Sequence, residues 1–158
     1  MYTSKQIADW ILSKINKEAG DTISPLKLQK LLYYCQAWHY TIFDKKLFDE
    51  RIEAWAHGPV VPSQYKRFAF MRCYDPINLD RININPAVFE PNSETESLLN
   101  EVMEIYLEHT AGYLEQLTHK EMPWKKTRGN LEPYAASNKE ITLDLMKEYY
   151  SMVNANGK

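Results

Sequence analysis

Glycine is scarce in this chain of 158 residues, with five in all, and the glycine-rich loops that cradle phosphates are missing with it: neither a Walker A nor a Rossmann pattern occurs. The His-Glu-x-x-His metal pattern is absent too. Two cysteines, Cys35 and Cys73, are too few for the closely spaced set of a secreted disulfide scaffold. No apolar run reaches the length that crosses a bilayer, and the opening Met-Tyr-Thr-Ser-Lys-Gln lacks the apolar stretch of a signal peptide, so a cytoplasmic location is expected. A net charge of -2 and a pI near 6.1 supply no global basic field that would draw the chain onto nucleic acid. There is no internal repeat and no low-complexity tract.

Aromatic residues are plentiful: 13% of the chain, with eleven Tyr and four Trp, enough for a dense core and a sticky surface. Hydrophobic residues at 44% and charged residues at 25% are ordinary for a globular protein, and the length fits one domain over 1–158. Thr3 and Gln6 form a capping box for a first helix that buries Ile7, Ala8, Ile11, Leu12 and Ile15, and Gly20 stops it. Ser24 and Pro25 open a second helix, whose stripe Leu28, Leu31, Leu32, Cys35, His39 and Ile42 is flanked by another through Leu26, Tyr33, Ala37 and Tyr40. A helix apolar on most sides is central to its domain or keeps one side for a partner.

Beyond it, Ile52 to Ala56 alternates like a short strand, Gly58-Pro59 makes an elbow, and Tyr65, Phe68, Ala69 and Met71 suggest a short helix. The stretch from Asp75 to Pro91 reads as an exposed loop, in which Ile82 and Ile84 are placed to pair with Ile52 to Ala56. Ser93 and Glu96 cap a long helix through Leu98, Leu99, Val102, Ile105 and Tyr106, which breaks near Thr110 and Gly112. A further piece reaches Thr118, Pro123-Trp124 opens one more turn, and a last helix carries Ile141, Leu145, Tyr149 and Met152. The expected fold is mainly α (α+β): a single compact helical domain of about five to seven helices with a small two- or three-stranded β element.

Cys35 and His39 stand four apart and face the same way, as two metal ligands or a nucleophile and its base would. Zinc needs three or four ligands, and His57, His109 and His119 lie in separate segments without a second close pair. A thiol in a leucine stripe is desolvated and unreactive, so no metal, cofactor or catalysis is expected. Alternation turns Glu53, Trp55 and His57 to one side of their strand, where Trp55 either anchors a partner or packs under the following loop. Thr118, His119, Pro123 and Trp124 read first as a capped turn and second as a binding surface. Lys27, Lys30 and the run Lys125, Lys126 and Arg128 read as solvated faces rather than phosphate contacts.

The run Lys27-Leu28-Gln29-Lys30-Leu31-Leu32-Tyr33-Tyr34, Trp38-His39, Phe48-Asp49-Glu50 and Ile52-Glu53-Ala54-Trp55 leads into Gly58-Pro59-Val60-Val61-Pro62 and Tyr65. Together with the later Leu117-Thr118-His119 and Pro123-Trp124, these residues resemble the Panacea domain family, which contains SocA-like antitoxins and phage-associated proteins of the GepA type, and the blocks imply a domain core over roughly 4–150. Ala56 departs from the polar or basic residue of that family pattern. The resemblance implies an antitoxin that neutralises a cognate protein toxin by direct binding. The alternatives are an adaptor delivering the toxin to a Clp-type protease, or a phage-associated regulator binding DNA through Lys27, Lys30 and the basic run. On the first reading the partner-binding residues are Tyr33, Tyr34, Trp38, Glu53, Trp55, His57, Tyr65 and Trp124. Leu28, Gln29, Lys30, Gly58, Pro59, Thr118, His119 and Pro123 are the structural motif.

Overall fold

The computed structural model describes residues 1–156. Thr3 accepts from the Gln6 N–H while the Gln6 side chain returns to the Thr3 N–H, and this box opens α1 (Ser4–Ser13). A 3-10 turn over Lys17–Ala19 closes on Gly20, left-handed at φ 85°. The Ser24 hydroxyl accepts from the Lys27 N–H, and Pro25 starts α2 (Pro25–Phe43) where its missing N–H costs nothing. β1 (Ile52–Trp55), β2 (Gly58–Val60) and α3 (Pro62–Arg67) follow. Ser93 and Thr110 each accept from a backbone N–H three residues on, opening α4 (Glu94–Tyr106) and α5 (Ala111–Lys120). The chain then forms α6 (Met122–Arg128), β3 (Glu140–Ile141) and α7 (Leu143–Asn156).

Seven α-helices and a three-stranded antiparallel sheet of order β2-β1-β3 are thus described, the architecture expected from the sequence. α2 is the hub: α1, α4, α5, α7 and β2 all pack on it, and thirteen of its nineteen residues are buried. Two of those are glutamines that clamp backbone. Gln29 accepts from the Val61 N–H at 2.8 Å and donates to the Val61 carbonyl at 3.2 Å. Gln36 repeats the pattern with the Leu47 N–H and the Phe48 carbonyl, both at 2.7 Å. Buried amides need such partners, and here each fastens a connecting segment to the hub.

The β partner of β1 is not Ile82 and Ile84. Ile52 faces Ile141 and Glu53 faces both Val60 and Glu140, so β2 and β3 occupy both edges of β1. The alternation at 77–89 has a different cause: Ile77, Leu79, Ile82, Ile84, Ala87 and Phe89 turn inward as an extended strap over the core. The strap is tied to α1 by the Ala87 N–H on the Gln6 carbonyl (3.1 Å) and the Asn85 N–H on the Asp9 carboxylate (2.9 Å). Asp9 also pairs with Arg67 of α3 at 2.7 Å. Ile105 and Met152 are exposed rather than core residues, because the buried faces of α4 and α7 run through Met103 and through Met146 and Tyr150. Thr118 does not cap α6 either. It lies inside α5, where its hydroxyl donates to the Glu115 carbonyl at 2.8 Å, and Pro123 occupies the first turn of α6.

Candidate functional site

The aromatic residues expected at a partner surface fall into two places. Tyr33 and Tyr34 are sealed inside, at 1% and 0% exposure, which corrects their assignment to a binding face. Tyr34 stacks on Tyr106 with centroids 3.9 Å apart, and its hydroxyl donates to Glu121 at 2.9 Å. The Tyr150 hydroxyl lies 2.7 Å from the same carboxylate oxygen and 3.1 Å from the Tyr33 hydroxyl. Burial pushes the Glu121 carboxyl above its usual range, partly offset by the two phenol donors. Trp38 is partly buried and donates to the Tyr106 hydroxyl at 3.0 Å. Trp124 is also corrected to an interior position: its ring stacks on His119 at 4.0 Å, and its indole N–H bonds the Trp55 carbonyl at 2.8 Å. These rings spend their polar atoms on one another, on Glu121 and on a backbone carbonyl, as buried Tyr and Trp must.

Glu53, Trp55, His57 and Tyr65 meet elsewhere. Trp55 tilts against Tyr65 with centroids 4.8 Å apart, and its indole N–H bonds Glu53 at 2.8 Å. Trp55, His57 and Tyr65 line a groove of about 990 Å³. One wall is the first turns of α2 (Pro25, Leu26, Gln29), another the β1–β2 turn, a third α3 with its following loop, and the last the loop over 134–138. Tyr65, Tyr74 and Tyr134 stand 47%, 63% and 89% exposed along it, and Phe70 beside Ala69 is 77% exposed. Sequence reasoning misses Tyr74, Tyr134 and Phe70. Their only signal is an aromatic ring in a segment without helical or strand periodicity, where nothing local predicts burial.

Behind the β1–β2 turn the motif residues converge. Gly58 sits at φ 109°, where L side chains are strained, and a Cβ there would lie 2.7 Å from Lys30 Cε and 3.0 Å from Thr118 Oγ1, so the backbone favours glycine and any side chain would have to displace the lysine stem. Lys30 is wholly buried, and its Nζ has no hydrogen-bond partner among the described residues. Burial pulls its pKa down to about 8, against the attraction of Glu115. Nε2 of His119 is likewise buried and unpartnered among the described residues, and burial holds that imidazole below its ordinary value. On the outer side His57 Nδ1 meets Glu115 at 3.1 Å.

Of the basic residues expected to form solvated faces, Lys125 and Lys126 do and the other three do not. Lys30 is interior. Lys27 donates to the Leu107 carbonyl at 2.6 Å. Arg128, 3% exposed, donates to the carbonyls of Ala54 (2.9 Å) and Ala135 (2.7 Å), leaving Lys125 and Lys126 as the exposed members of the run. The Cys35 thiol is fully buried and pushed up to about 12 by desolvation, so it is no nucleophile at neutral pH. His39 is occupied by the Lys45 carbonyl at 2.8 Å and the Thr95 hydroxyl at 2.9 Å. Among the described residues no group of three or more His, Cys, Asp and Glu gathers to hold a metal ion, and no helix is long and apolar enough to cross a membrane.

A family model described as antitoxin SocA-like, Panacea domain, matches residues 28–125. The match runs from the hub helix to α6 and takes in the Lys30, Gly58 and Thr118 junction, two of the four walls of the groove and Gln29 of a third. No curated protein and no solved structure matches the chain.

Proposed function

Since the chain belongs to the SocA-like antitoxin family of Panacea domains, we propose that it neutralises a cognate protein toxin by direct contact, with a segment of the toxin seated in the aromatic groove. The observation that carries this reading is the line of unburied rings, Tyr65, Tyr74 and Tyr134, beside the half-buried Trp55. Exposed apolar surface gathered in a concavity marks an interaction site, and Tyr and Trp supply most of the affinity at such sites. Burying these rings stabilises a complex without any bond being made or broken, so the function needs no cofactor.

Co-expression with the product of the adjacent reading frame tests the proposal. The expected result is rescue of growth and co-purification of the two proteins, both abolished when Trp55 and Tyr65 are replaced together by Ala. Rescue that persists without a complex overturns direct neutralisation. A toxin half-life that shortens in the presence of this protein, only in cells with an active Clp-type protease, would replace occlusion with delivery for degradation.

A further inference from the structure

The groove has an inner end whose chemistry differs from its walls. Of the residues that line it, His57 and Arg72 are the basic ones and none is Asp or Glu. Just behind that lining lies Lys30, one helical turn after Leu26, which forms part of the wall. Its ammonium group feels Cys73, another lining residue, and Glu115, yet hydrogen-bonds to neither. The His57-Gly58 turn screens it. Gly58 carries no side chain, and the His57 imidazole is held on the outside by Glu115. A fully buried cation without an acceptor destabilises a fold, whereas a cation awaiting its counter-charge is an ordinary component of a recognition site.

Resting on the reading that the groove holds the toxin, we propose that its inner end is an acid-recognition subsite: Lys30 receives the carboxylate of an Asp or Glu borne by an otherwise apolar segment of the toxin. The groove walls bury the segment's apolar side chains. No Asp or Glu stands in the lining itself, and its two basic residues are already paired, His57 with Glu115 and Arg72 with Asp75, so the cation left for the carboxylate is Lys30, whose flexible stem is drawn outward beside the His57-Gly58 turn. The apolar walls select for any sticky segment, and the single buried charge selects among them.

A displayed library of random dodecapeptides, selected on the intact protein and on its Lys30→Met variant, tests this. On the native protein, enriched peptides should carry Asp or Glu at fixed spacing from aromatic or aliphatic residues, and the Lys30→Met variant should lose that preference. Changing the selected acid to its amide should weaken binding to the native protein about tenfold or more, and to the variant hardly at all. The variant should melt at the same temperature or higher, because a buried uncompensated charge has been removed, which separates loss of recognition from loss of fold. Should the variant fail to fold, the acid-to-amide comparison is made on the His57→Ala and Arg72→Ala variants: a preference kept by both assigns it to Lys30, and one lost in either overturns that assignment. Enriched peptides with no acidic preference overturn the subsite and leave the groove reading standing. If no peptide is enriched while dodecanoate binds, the groove belongs to a small amphiphile and both readings are overturned.

Discussion

Two aromatic clusters flank α2, and they differ in what their polar atoms do. On the α4 and α7 side, Tyr33, Tyr34, Tyr106 and Tyr150 stack edge to face or face to face, and three of their hydroxyls converge on Glu121 and one another. On the side of the β1–β2 turn, Trp55, Tyr65, Tyr74 and Tyr134 line an open concavity. The first cluster rests on regular helices packed against the hub. Two of the four rings in the second, Tyr74 and Tyr134, are carried by loops. Aromatic content alone does not distinguish a core from an interface. What distinguishes them is whether each phenol has found its partner inside the chain: those of Tyr33, Tyr34, Tyr106 and Tyr150 have, whereas in the open cluster it is the Trp55 indole, bonded to Glu53, that is paired.

The sharpest way to break this contrast is to delete one ring from each cluster. Tyr150→Ala empties a fully buried site and removes a donor from Glu121, so unfolding in urea should show a loss of about 3–5 kcal/mol. Tyr74→Ala should leave stability within about 0.5 kcal/mol while costing about 2 kcal/mol of affinity for the toxin by titration calorimetry. Reversal of that order, with stability lost at Tyr74 and affinity lost at Tyr150, would mean the two clusters have been assigned to the wrong roles.

Glu121 probes the closed side by pH. Its folded pKa is raised by burial above the ordinary value of 4.5, so the stability it confers is fully present below that value and is lost as pH rises through the folded value. Glu121→Gln keeps an acceptor for the tyrosines and no longer titrates. Its stability relative to the native protein should therefore grow from about pH 4.5 upward and level off once the pH has passed the raised folded value, as read from thermal melts in a pH series. A constant difference across that range would show that the carboxyl is not desolvated.

The smallest effect distinguishes the two thiols. Cys73 lines the groove and should react with iodoacetamide in the native protein, with the toxin protecting it. Cys35, buried and with its pKa pushed up to about 12, should react only on unfolding. Mass spectrometry of the labelled peptides reads both. Fast labelling of Cys35 would imply that the hub helix opens readily.

Much of the frame is legible in the amino-acid sequence. The Thr3 and Gln6 box, the Ser24 cap with Pro25, the breaks at Gly20 and Thr110, and the strand at Ile52 all stand where hydrogen-bond chemistry and periodicity put them. The departures share one origin. Ile82 and Ile84 alternate because one side of a strap faces the core, and alternation is the same whether a residue pairs in a sheet or only packs. Tyr33 and Tyr34 resemble surface residues because α2 is aromatic on several sides, and whether such a side is covered depends on α4 and α7, which lie more than fifty residues away in sequence.

Local rules therefore settle where the capped helices begin, which residues share a face, and that Gly58 marks an elbow, because capping, side-chain period and backbone freedom act over a few neighbouring residues. Ile141, which reads as part of the last helix, instead pairs with Ile52 in β3. Assembly in three dimensions settles the rest: which aromatic face stays open, that Lys30 runs beneath Gly58 beside Thr118, and that a basic residue written like surface lies in the interior. Burial is a property of what comes to lie on top of a residue, and in this fold that neighbour arrives from distant parts of the chain.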